Sequence, residues 1–465
     1  MTLIATDDAT WRGARVTVMG LGLFGGGLGA TRFAVERGAQ VTVTDLRIEA
    51  QLRESLEELA ALPIRYVLGR HEEADFRGAD LVIVNPAVPH RSRFLDLARR
   101  AGVPLTTEIL LFVERCAGRV VAVSGSNGKT TTTSLIGAIL AAHDPRTVIG
   151  GNLGRSLLGE AASVAPGTPV VLEVSSFQLE WLGPAGWAPE VGVLTNLSPN
   201  HLDRHGTFEA YVAAKRWLLV NQPPTGVAVL NARDEHLRAM ARDLPGRVVW
   251  FDGQGSTQPG AWIDGDVIML GADGPPRPVM RAAEIPLVGQ HNRENVLAAV
   301  AATGVFGVLP ETIAGAVRAF RGVEHRLEFV REVAGVRYYN DSIATTPESV
   351  ICALRSFEPG ALVLIAGGYD KKTPFDGLGA EIAARAGELI VLGATAEKIA
   401  HAAEASGFAP SRVHRVNALA EGVALAARIA RPGQAVALSP ACASYDQFRN
   451  FIERGNLFKC LVTAL

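Results

Sequence analysis

The sequence predicts an α/β protein of three domains built on mainly parallel sheets. Short apolar runs alternate along the chain with windows of helical periodicity, which is the order that doubly wound sheets require. The apolar runs are continuous rather than alternating, as expected of strands that helices cover on both faces. The length of 465 residues fits about three domains of roughly 150 residues each.

The predicted elements follow one another regularly through the first half of the chain. Strands are predicted at 16–19, 41–45, 81–85, 120–125, 170–176, 191–196 and 227–232, and helices at 28–37 and 208–220. Residues 252–286 are rich in glycine and proline and predict a small β insertion with a hairpin at Asp264-Gly265. Two helices, at 292–306 and 310–320, precede a new β/α series. We therefore place the domains at 1–107, 108–322 and 323–465.

The composition argues against several classes of protein. Apolar residues make up 48% of the chain and charged residues 20%, and the net charge is −2 without a basic tract. Nucleic acid and anionic membranes are therefore not indicated as partners. No signal sequence is evident, and no apolar run approaches the ~18–20 residues of a membrane span. The four cysteines are scattered, so we expect a reduced, cytoplasmic protein, and we expect it to be a monomer.

The first glycine-rich loop has the spacing Gly20-x-Gly22-x-x-Gly25 between a strand and a helix, and Asp45 closes the next strand. Such glycines let the backbone approach a diphosphate, and the helix N-terminus attracts its charge. The acid at the end of the next strand would hold ribose hydroxyls. NAD(P), another nucleotide diphosphate and a purely structural turn all remain open at this point.

The second glycine-rich loop reads Gly125-Ser-Asn-Gly128-Lys129-Thr130. It departs from the strict P-loop pattern because Val123 stands where that pattern has glycine. The backbone N–H groups can still cradle phosphates, Lys129 can reach the β and γ oxygens, and Thr130 can bind Mg²⁺. The loop predicts a nucleoside triphosphate site, with a lysine that merely begins a helix as the alternative.

Four polar side chains in later segments are candidates for a site. Glu173 lies at the end of a strand and is suited to a hard cation, or else to an ion pair with a lysine. Asn152 lies between glycines and suits either a turn or a ligand contact. His201 leaves the carboxyl end of a strand, where open α/β sheets bind ligands, although a packing role is also open. Lys215 lies two turns into the following predicted helix.

Four segments of the chain resemble the Mur ligases, ATP-dependent enzymes of peptidoglycan synthesis. They are GSNGKTTTT, LEVSSFQLE, NHLDRHGTFEAYVAAK and the C-terminal SPACASYDQFRNFIERGNLF. The resemblance covers essentially the whole chain. It implies an N-terminal Rossmann-like domain for a UDP-linked substrate, a central P-loop-type ATP domain and a C-terminal Rossmann-like domain for the amino acid. The implied reaction joins D-glutamate to UDP-N-acetylmuramoyl-L-alanine through an acyl phosphate, and it releases ADP and phosphate.

The resemblance also implies the ligands of individual residues. For ATP these are Gly125, Ser126, Asn127, Gly128, Lys129, Thr130, Thr131, Asn292, Asn295, Arg326 and Asp341. For the UDP-linked substrate they are Gly22, Leu23, Phe24, Asp45, Arg47, Asn85, Pro86, Asn152, Ser175 and His201. For D-glutamate they are Thr345, Lys371, Ser444 and Phe451. Taken alone, Arg326 also fits a salt bridge at a domain junction, and Phe451 fits a core position.

Lys129, His201 and Lys215 are the residues to which the resemblance gives a catalytic role. It implies two Mg²⁺ ions, one at Thr130 and Glu173 and one at His201 and Lys215, with Lys215 carrying a CO₂-derived carbamate. An ammonium would repel the ion, whereas a carbamate is anionic and offers hard oxygen atoms.

The chain departs from the family pattern at Phe24, Ala87 and Ile343, which replace a small hydroxyl residue, a common glycine and a common lysine. Three other functions stay open. They are a Mur-type ligase with another acceptor such as L-glutamate or L-alanine, a dinucleotide-dependent oxidoreductase, and a nucleotide-binding regulator without turnover. The oxidoreductase hypothesis leaves Lys129, Glu173, His201 and Lys215 without a role.

Overall fold

The computed structural model describes residues 8–22, 25–154, 156–252, 259–272, 274–371 and 373–465. Leu23 and Phe24, which the sequence assigns to the UDP-linked substrate, lie outside the described residues. Contacts divide the chain into two compact units. The first unit comprises Met1–Glu284 with Glu294–Arg318, and the second comprises Ile285–Arg293 with Ala319–Leu465.

The first sheet has five parallel strands and confirms the predicted α/β class. Its part of the chain runs β1 (Arg15–Met19), α1 (Gly26–Glu36), β2 (Gln40–Asp45), α2 (Glu49–Glu57), β3 (Ile64–Leu68), α3 (Glu73–Arg77), β4 (Leu81–Val84), α4 (Arg93–Arg100), β5 (Leu105–Thr106) and α5 (Glu108–Arg115). The strand order is β3-β2-β1-β4-β5. Because the chain reverses its direction across the sheet between β1 and β4, a ligand crevice is expected at their carboxyl ends.

The second sheet has nine strands and belongs to the same unit. Its elements are β6 (Arg119–Ser124), α6 (Lys129–His143), β7 (Val148–Gly151), β8 (Pro169–Glu173), α7 (Ser176–Leu182), β9 (Val191–Leu194), α8 (Leu202–His205), α9 (Phe208–Val220), β10 (Val227–Asn231), α10 (Glu235–Met240), β11 (Arg247–Phe251), β12 (Gly260–Asp264), β13 (Val267–Leu270) and β14 (Arg277–Arg281). The order β14-β13-β12-β11-β10-β9-β6-β8-β7 places β6 between β8 and β9. The hairpin predicted at Asp264-Gly265 is confirmed, since β12 and β13 pair antiparallel around it.

The helices α11 (Gln290–Val305) and α12 (Pro310–Ala319) precede the third sheet. The third series runs β15 (Glu328–Val333), β16 (Val336–Asn340), α13 (Pro347–Leu354), β17 (Leu362–Gly367), α14 (Asp376–Arg385), β18 (Ala386–Leu392), α15 (Ala396–Ala405), β19 (Val413–Arg415), α16 (Leu419–Ile429), β20 (Ala435–Leu438) and α17 (Phe451–Thr463). The strand order is β15-β16-β20-β17-β18-β19, and only the β15–β16 pair is antiparallel. Both faces of this sheet are covered by apolar clusters.

The strand predicted at 170–176 ends earlier, at Glu173, because Ser175 caps α7. The Ser175 hydroxyl accepts a hydrogen bond from the backbone N–H of Gln178, and the Gln178 side chain accepts one from the Ser175 N–H. This reciprocal capping box fixes the start of the helix one residue later. The side chain of Glu173 is therefore the last one that β8 itself presents.

No helix in the described ranges is both long and apolar enough to cross a bilayer. Cys116, Cys352, Cys442 and Cys460 are free thiols.

Candidate active site

The glycine-rich loop between β6 and α6 is shaped by two close approaches. Gly128 has φ +80°, and a Cβ there would lie 2.3 Å from Oδ1 of Asn295. A Cβ on Gly125, at φ +143°, would lie 1.9 Å from Oγ1 of Thr195. Only glycine fits both positions. The loop therefore packs closely against its neighbours and continues directly into the N-terminus of α6. The backbone N–H groups there favour an anion.

Polar contacts from the neighbouring strand hold this loop in place. Oγ1 of Thr195 donates to the carbonyl of Asn127 at 2.6 Å, and Oδ1 of Asn196 accepts from the N–H of Asn127 at 2.9 Å. Nζ of Lys129 donates to the carbonyls of Gly125 and Ser126 at 3.1 and 3.0 Å. The ammonium thus lies against the loop that the sequence assigns to phosphate.

Glu173 lies at the end of β8, beside β6. Its Oε1 accepts a hydrogen bond from Nδ2 of Asn152 at 2.9 Å. Its Oε2 is buried and has no hydrogen-bond partner in the structure. A buried carboxylate oxygen without a partner is costly, because it loses its water without a replacement. Such an oxygen is suited to a hard cation.

Lys215 lies on α9 and is buried, with 1% of its surface exposed. Its Nζ donates to the Ser124 hydroxyl at 3.2 Å and lies 4.8 Å from the centroid of the Tyr211 ring. Burial, followed by the repulsion of the Lys129 ammonium, holds the pKa of Lys215 well below its ordinary value, against the attraction of Glu173. The structure therefore places a weakly basic amine at the end of β6.

His201 precedes the single-turn helix α8 and has left-handed backbone angles, φ 51° and ψ 38°. Its ring centroid lies 5.0 Å from that of Phe177. Burial lowers the pKa of His201, the Lys129 ammonium and any positive charge on Lys215 lower it further, and Asp203 opposes them. Lys129 and Lys215 therefore lie close enough to His201 to affect its pKa. Glu173 lies close enough to Lys215 to affect the pKa of the lysine.

These groups fit magnesium. Mg²⁺ is commonly held by one or two carboxylates together with substrate phosphates and water. The unpartnered Oε2 of Glu173 and the hydroxyl of Thr130, at the start of α6, supply such oxygen atoms. They lie near the glycine-rich loop at residues 125–128, which we call the phosphate loop after the role that the sequence predicts for it. The described residues contain no group of three or more His, Cys, Asp or Glu side chains arranged around one metal position.

A cavity of about 1140 Å³ lies in the first unit, at the carboxyl ends of β1 and β4. We call it the N-terminal cavity. Of the described residues that the sequence assigns to the UDP-linked substrate, its lining includes Gly22, Asp45, Arg47, Asn85, Pro86, Asn152 and Ser175. The ring of His201 lies beside the ring of Phe177, and Phe177 lines the cavity.

Asp45 organises the glycine-rich side of the N-terminal cavity. Its Oδ2 accepts from the N–H of Gly22 at 3.2 Å, and its Oδ1 accepts from the N–H of Arg47 at 2.9 Å. Nη1 of Arg47 lies 3.8 Å from Oδ2 of Asp45, and half of the Arg47 side chain is exposed. The cavity therefore has an acid suited to hydroxyl groups and a cation suited to phosphate.

Glu108 also lines the N-terminal cavity, and the sequence reasoning missed it. Oγ of Ser156 donates to its Oε1 at 2.5 Å. Burial raises the pKa of Glu108 to about 6, against the hydrogen bonds from Ser156 and Leu157. An isolated Glu at the start of α5 gives no sequence signal, because its burial depends on a loop about fifty residues away.

In the second unit, the residues assigned to the amino acid follow three adjacent parallel strands. Thr345 follows β16, Ser444 follows β20 and Lys371 follows β17. Ser444 is buried and Lys371 is exposed. Phe451 begins α17, and its ring centroid lies 5.8 Å from that of His325. The topology thus brings the first three residues to one edge of the third sheet.

Asp341 lies at the same edge, and both of its carboxylate oxygens accept hydrogen bonds from other groups of the protein. Its Oδ1 accepts from the N–H of Leu327 at 3.1 Å, and its Oδ2 accepts from the Ser439 hydroxyl at 2.6 Å. Burial raises the pKa of Asp341 to about 7, against these hydrogen bonds and the nearby charge of Arg326. Arg326 is exposed. Nδ2 of Asn292 donates to the Val288 carbonyl.

The glycine-rich loop before α6, the strand-end carboxylate beside it and the buried lysine form the arrangement expected of a nucleoside-triphosphate-dependent enzyme of the α/β class. Comparison with known families gives the particular family. Residues 14–107 match the Mur ligase MurD-like N-terminal domain, 123–303 the Mur ligase middle domain and 325–442 the Mur ligase glutamate ligase domain. The chain belongs to the Mur ligase family.

Curated relatives match nearly the whole chain. A protein from Roseiflexus sp. (strain RS-1) named UDP-N-acetylmuramoylalanine–D-glutamate ligase is 45% identical over 97% of this chain and 99% of its own length. A protein of the same name from Pelotomaculum thermopropionicum is 42% identical over 97% and 98%. The solved structure of UDP-N-acetylmuramate-alanine ligase from Thermotoga maritima has a TM-score of 0.59 at 20% identity, covering 97% of this chain and 99% of that one. At this identity the structure supports the fold alone.

Proposed function

We propose that the chain is the ATP-dependent ligase that joins D-glutamate to UDP-N-acetylmuramoyl-L-alanine in the synthesis of peptidoglycan precursors. One observation carries this function. The chain is 45% identical, over 461 residues, to a relative named for this reaction, and the match leaves almost no part of either protein uncovered. The phosphate loop and the N-terminal cavity give the two nucleotides of the reaction separate binding sites.

The first step makes the substrate carboxylate reactive. A carboxylate is a poor acyl donor, because its leaving group would be oxide. A carboxylate oxygen attacks the γ-phosphorus of ATP, and the bond from that phosphorus to the β–γ bridging oxygen breaks. ADP is released, and the substrate becomes an acyl phosphate. Lys129 and the N–H groups of the loop at 125–128 are suited to neutralise the two anions as they meet. Magnesium held by Thr130 and Glu173, and by His201 with a modified Lys215, would supply further charge neutralisation.

The second step forms the amide. The amine of D-glutamate attacks the acyl carbon, and the tetrahedral oxyanion collapses with loss of phosphate. The new C–N bond replaces the C–O bond to phosphate, and the amine proton leaves with the phosphate. Lys371 offers an exposed ammonium for a glutamate carboxylate, and Ser444 offers a buried hydroxyl at the same sheet edge. We assign Thr345 and Phe451 to the remainder of the amino-acid site.

We assign a carbamate to Lys215. Only a neutral amine reacts with CO₂, forming an N–C bond and releasing a proton. Lys215 meets this requirement through its burial and through its hydrogen bond to a hydroxyl rather than a carboxylate. The product would carry hard anionic oxygen atoms suited to a divalent cation. Among the groups assigned to ATP, Asn295 is supported by its packing against Gly128, and Asn292, Arg326 and Asp341 stay predictions.

We place the protein in the cytoplasm, as a monomer. The reaction consumes ATP, and the four free cysteines are consistent with a reducing compartment. Light scattering at assay concentration tests the monomer, and fractionation of cells tests the compartment.

An assay of ADP release tests the function. With UDP-N-acetylmuramoyl-L-alanine and ATP present, D-glutamate should start ADP release, and L-glutamate or L-alanine should not. Equal rates with L-glutamate would refute the acceptor and leave the ligase class intact. Phosphate release that needs both substrates would reject a regulator without turnover. NADH fluorescence that is unchanged by the protein would reject the oxidoreductase.

A further inference from the structure

Arg204 joins the single-turn helix α8 to the wall of the N-terminal cavity. Its Nη1 donates to the carbonyl of Ala87 at 2.9 Å, and its Nη2 donates to the carbonyl of Val88 at 2.9 Å and to that of Pro86 at 3.3 Å. Residues 86–88 line the cavity. One side chain therefore ties three consecutive carbonyls of the cavity wall to the helix that follows His201.

Two residues of α7 hold the guanidinium of Arg204 in a single orientation. The guanidinium carbon lies 5.1 Å from the centroid of the Phe177 ring, and Nη2 lies 3.7 Å from Oε2 of Glu180. The Arg204 side chain is only 14% exposed. A planar fork with donors on two nitrogen atoms and an aromatic face below it is a geometry that lysine cannot reproduce.

The turn that carries Arg204 also sets the backbone of His201. The N–H groups of Arg204 and His205 both donate to the His201 carbonyl, at 3.0 and 2.9 Å. The left-handed backbone of His201 is unfavourable for a residue with a side chain, so surrounding contacts have to maintain it. Arg204 provides one anchor. His205 provides a second, since its Nε2 lies 3.0 Å from the Ser176 hydroxyl.

We propose that Arg204 is a positioning residue, which fixes His201 relative to a substrate bound against residues 86–88. The inference rests on the proposed function, since it takes the N-terminal cavity as the site of the UDP-linked substrate and His201 as a group near the reacting carboxylate. Arg204 then acts through His201 on turnover and through the cavity wall on substrate binding.

A double-mutant cycle tests this role. Arg204→Lys should lower kcat about 100-fold, as misplacement of a catalytic group does, while KM for ATP stays within about twofold. In a His201→Ala background the same change should lower kcat less than about threefold, because the imidazole that Arg204 positions is then absent. An equal loss in both backgrounds, or an unchanged kcat, would overturn the proposal. Arg238→Lys is the matched control, because Arg238 also donates to a carbonyl, that of Ala232, away from the cavity.

Calorimetric titration with UDP separates this inference from the proposed function. UDP binding needs no turnover, and Arg204→Lys should weaken it about tenfold through loss of the preorganised wall. Arg238→Lys should leave it unchanged. A wild-type protein that binds UDP but releases no ADP with the named substrates would refute the proposed function alone. Equal UDP affinity in wild type and Arg204→Lys would refute the part of the inference that concerns the wall.

Discussion

Nδ2 of Asn152 donates to Oε1 of Glu173 at 2.9 Å, while Oε2 of the same carboxylate is buried without a partner. The backbone N–H of Asn152 also donates to the Glu173 carbonyl at 2.8 Å. Asn152 lines the N-terminal cavity. One asparagine therefore touches the expected position of the UDP-linked substrate and orients the carboxylate that we assign to magnesium.

Asn152→Ala should weaken magnesium binding. Changes to a partner that orients a metal ligand typically cost about 10- to 100-fold in metal affinity or activity. We expect the Mg²⁺ concentration for half-maximal activity to rise by that factor, measured as ADP release over a magnesium titration. Asn221→Ala is the control, since Asn221 donates to the Gly183 carbonyl in the same unit. An unchanged magnesium titration with a raised KM for the UDP-linked substrate would mean that Asn152 is only part of the cavity wall.

Gly128→Ala should damage ATP binding beyond its effect on stability. Both Gly128 and Gly167 have φ near +80°, but a Cβ on Gly167 would meet nothing within 4 Å. Alanine at either position should cost about 1–2 kcal/mol of stability, as left-handed backbone does for residues with a side chain. Only Gly128→Ala also displaces Asn295, so only it should raise KM for ATP, by about tenfold or more. Similar KM values in the two variants would contradict this assignment of the loop.

Lys215→Ala should lose most activity, and a short-chain carboxylic acid should partly restore it. The acid would return anionic oxygen atoms to the place of the carbamate. We expect the restored rate to rise with acetate concentration in the variant and to be unaffected by acetate in the wild type. Lys215→Ala with full activity would refute the assigned role, and wild-type activity that is insensitive to removal of CO₂ would argue against the carbamate.

Glu108→Gln should remove a pH dependence of stability. The pKa of about 6 lies above the ordinary 4.5, so the folded protein keeps a proton that the unfolded chain releases. The stability that this proton confers is complete below pH 4.5 and is lost as the pH rises through 6. Glutamine is neutral and still offers an oxygen to Ser156, so the variant should be more stable at pH 7 by up to ~2 kcal/mol.

Urea unfolding at pH 4.5 and pH 7 measures this difference. Glu57→Gln, on the exposed side of α2, serves as the control and should follow the wild type. Parallel pH profiles for Glu108→Gln and the wild type would show that folding leaves the pKa of Glu108 unchanged, which would contradict this prediction.

The sequence predicted the parts of the site that lie at the carboxyl ends of strands. Lys129, Glu173 and His201 each follow an apolar run, and the carboxyl ends of parallel strands meet at one edge of a sheet. Their proximity follows from β8, β6 and β9 being neighbours. The sequence could not give the strand order itself, which only long-range pairing decides. The ligands of these residues stay predictions, whereas their proximity is a finding.

Contacts that depend on the conformation of loops could not be predicted from the sequence. Arg204 binds carbonyls of residues more than a hundred positions away, and carbonyls carry no residue-type signal. Glu108 and Ser156 meet only because α5 lies beside the loop after β7. The edge strand β19 was also missed, because three residues are too few to show a period. These features arise from packing between distant segments rather than from local pattern.

Activation of the substrate carboxylate by ATP as an acyl phosphate can be followed through the fate of the carboxylate oxygen. UDP-N-acetylmuramoyl-L-alanine labelled with ¹⁸O in both oxygens of its carboxylate should be incubated with ATP, Mg²⁺ and D-glutamate, and the released phosphate examined by mass spectrometry. We expect one ¹⁸O atom in each released phosphate, transferred when the acyl C–O bond breaks. Phosphate without label, released in step with amide formation, would contradict it.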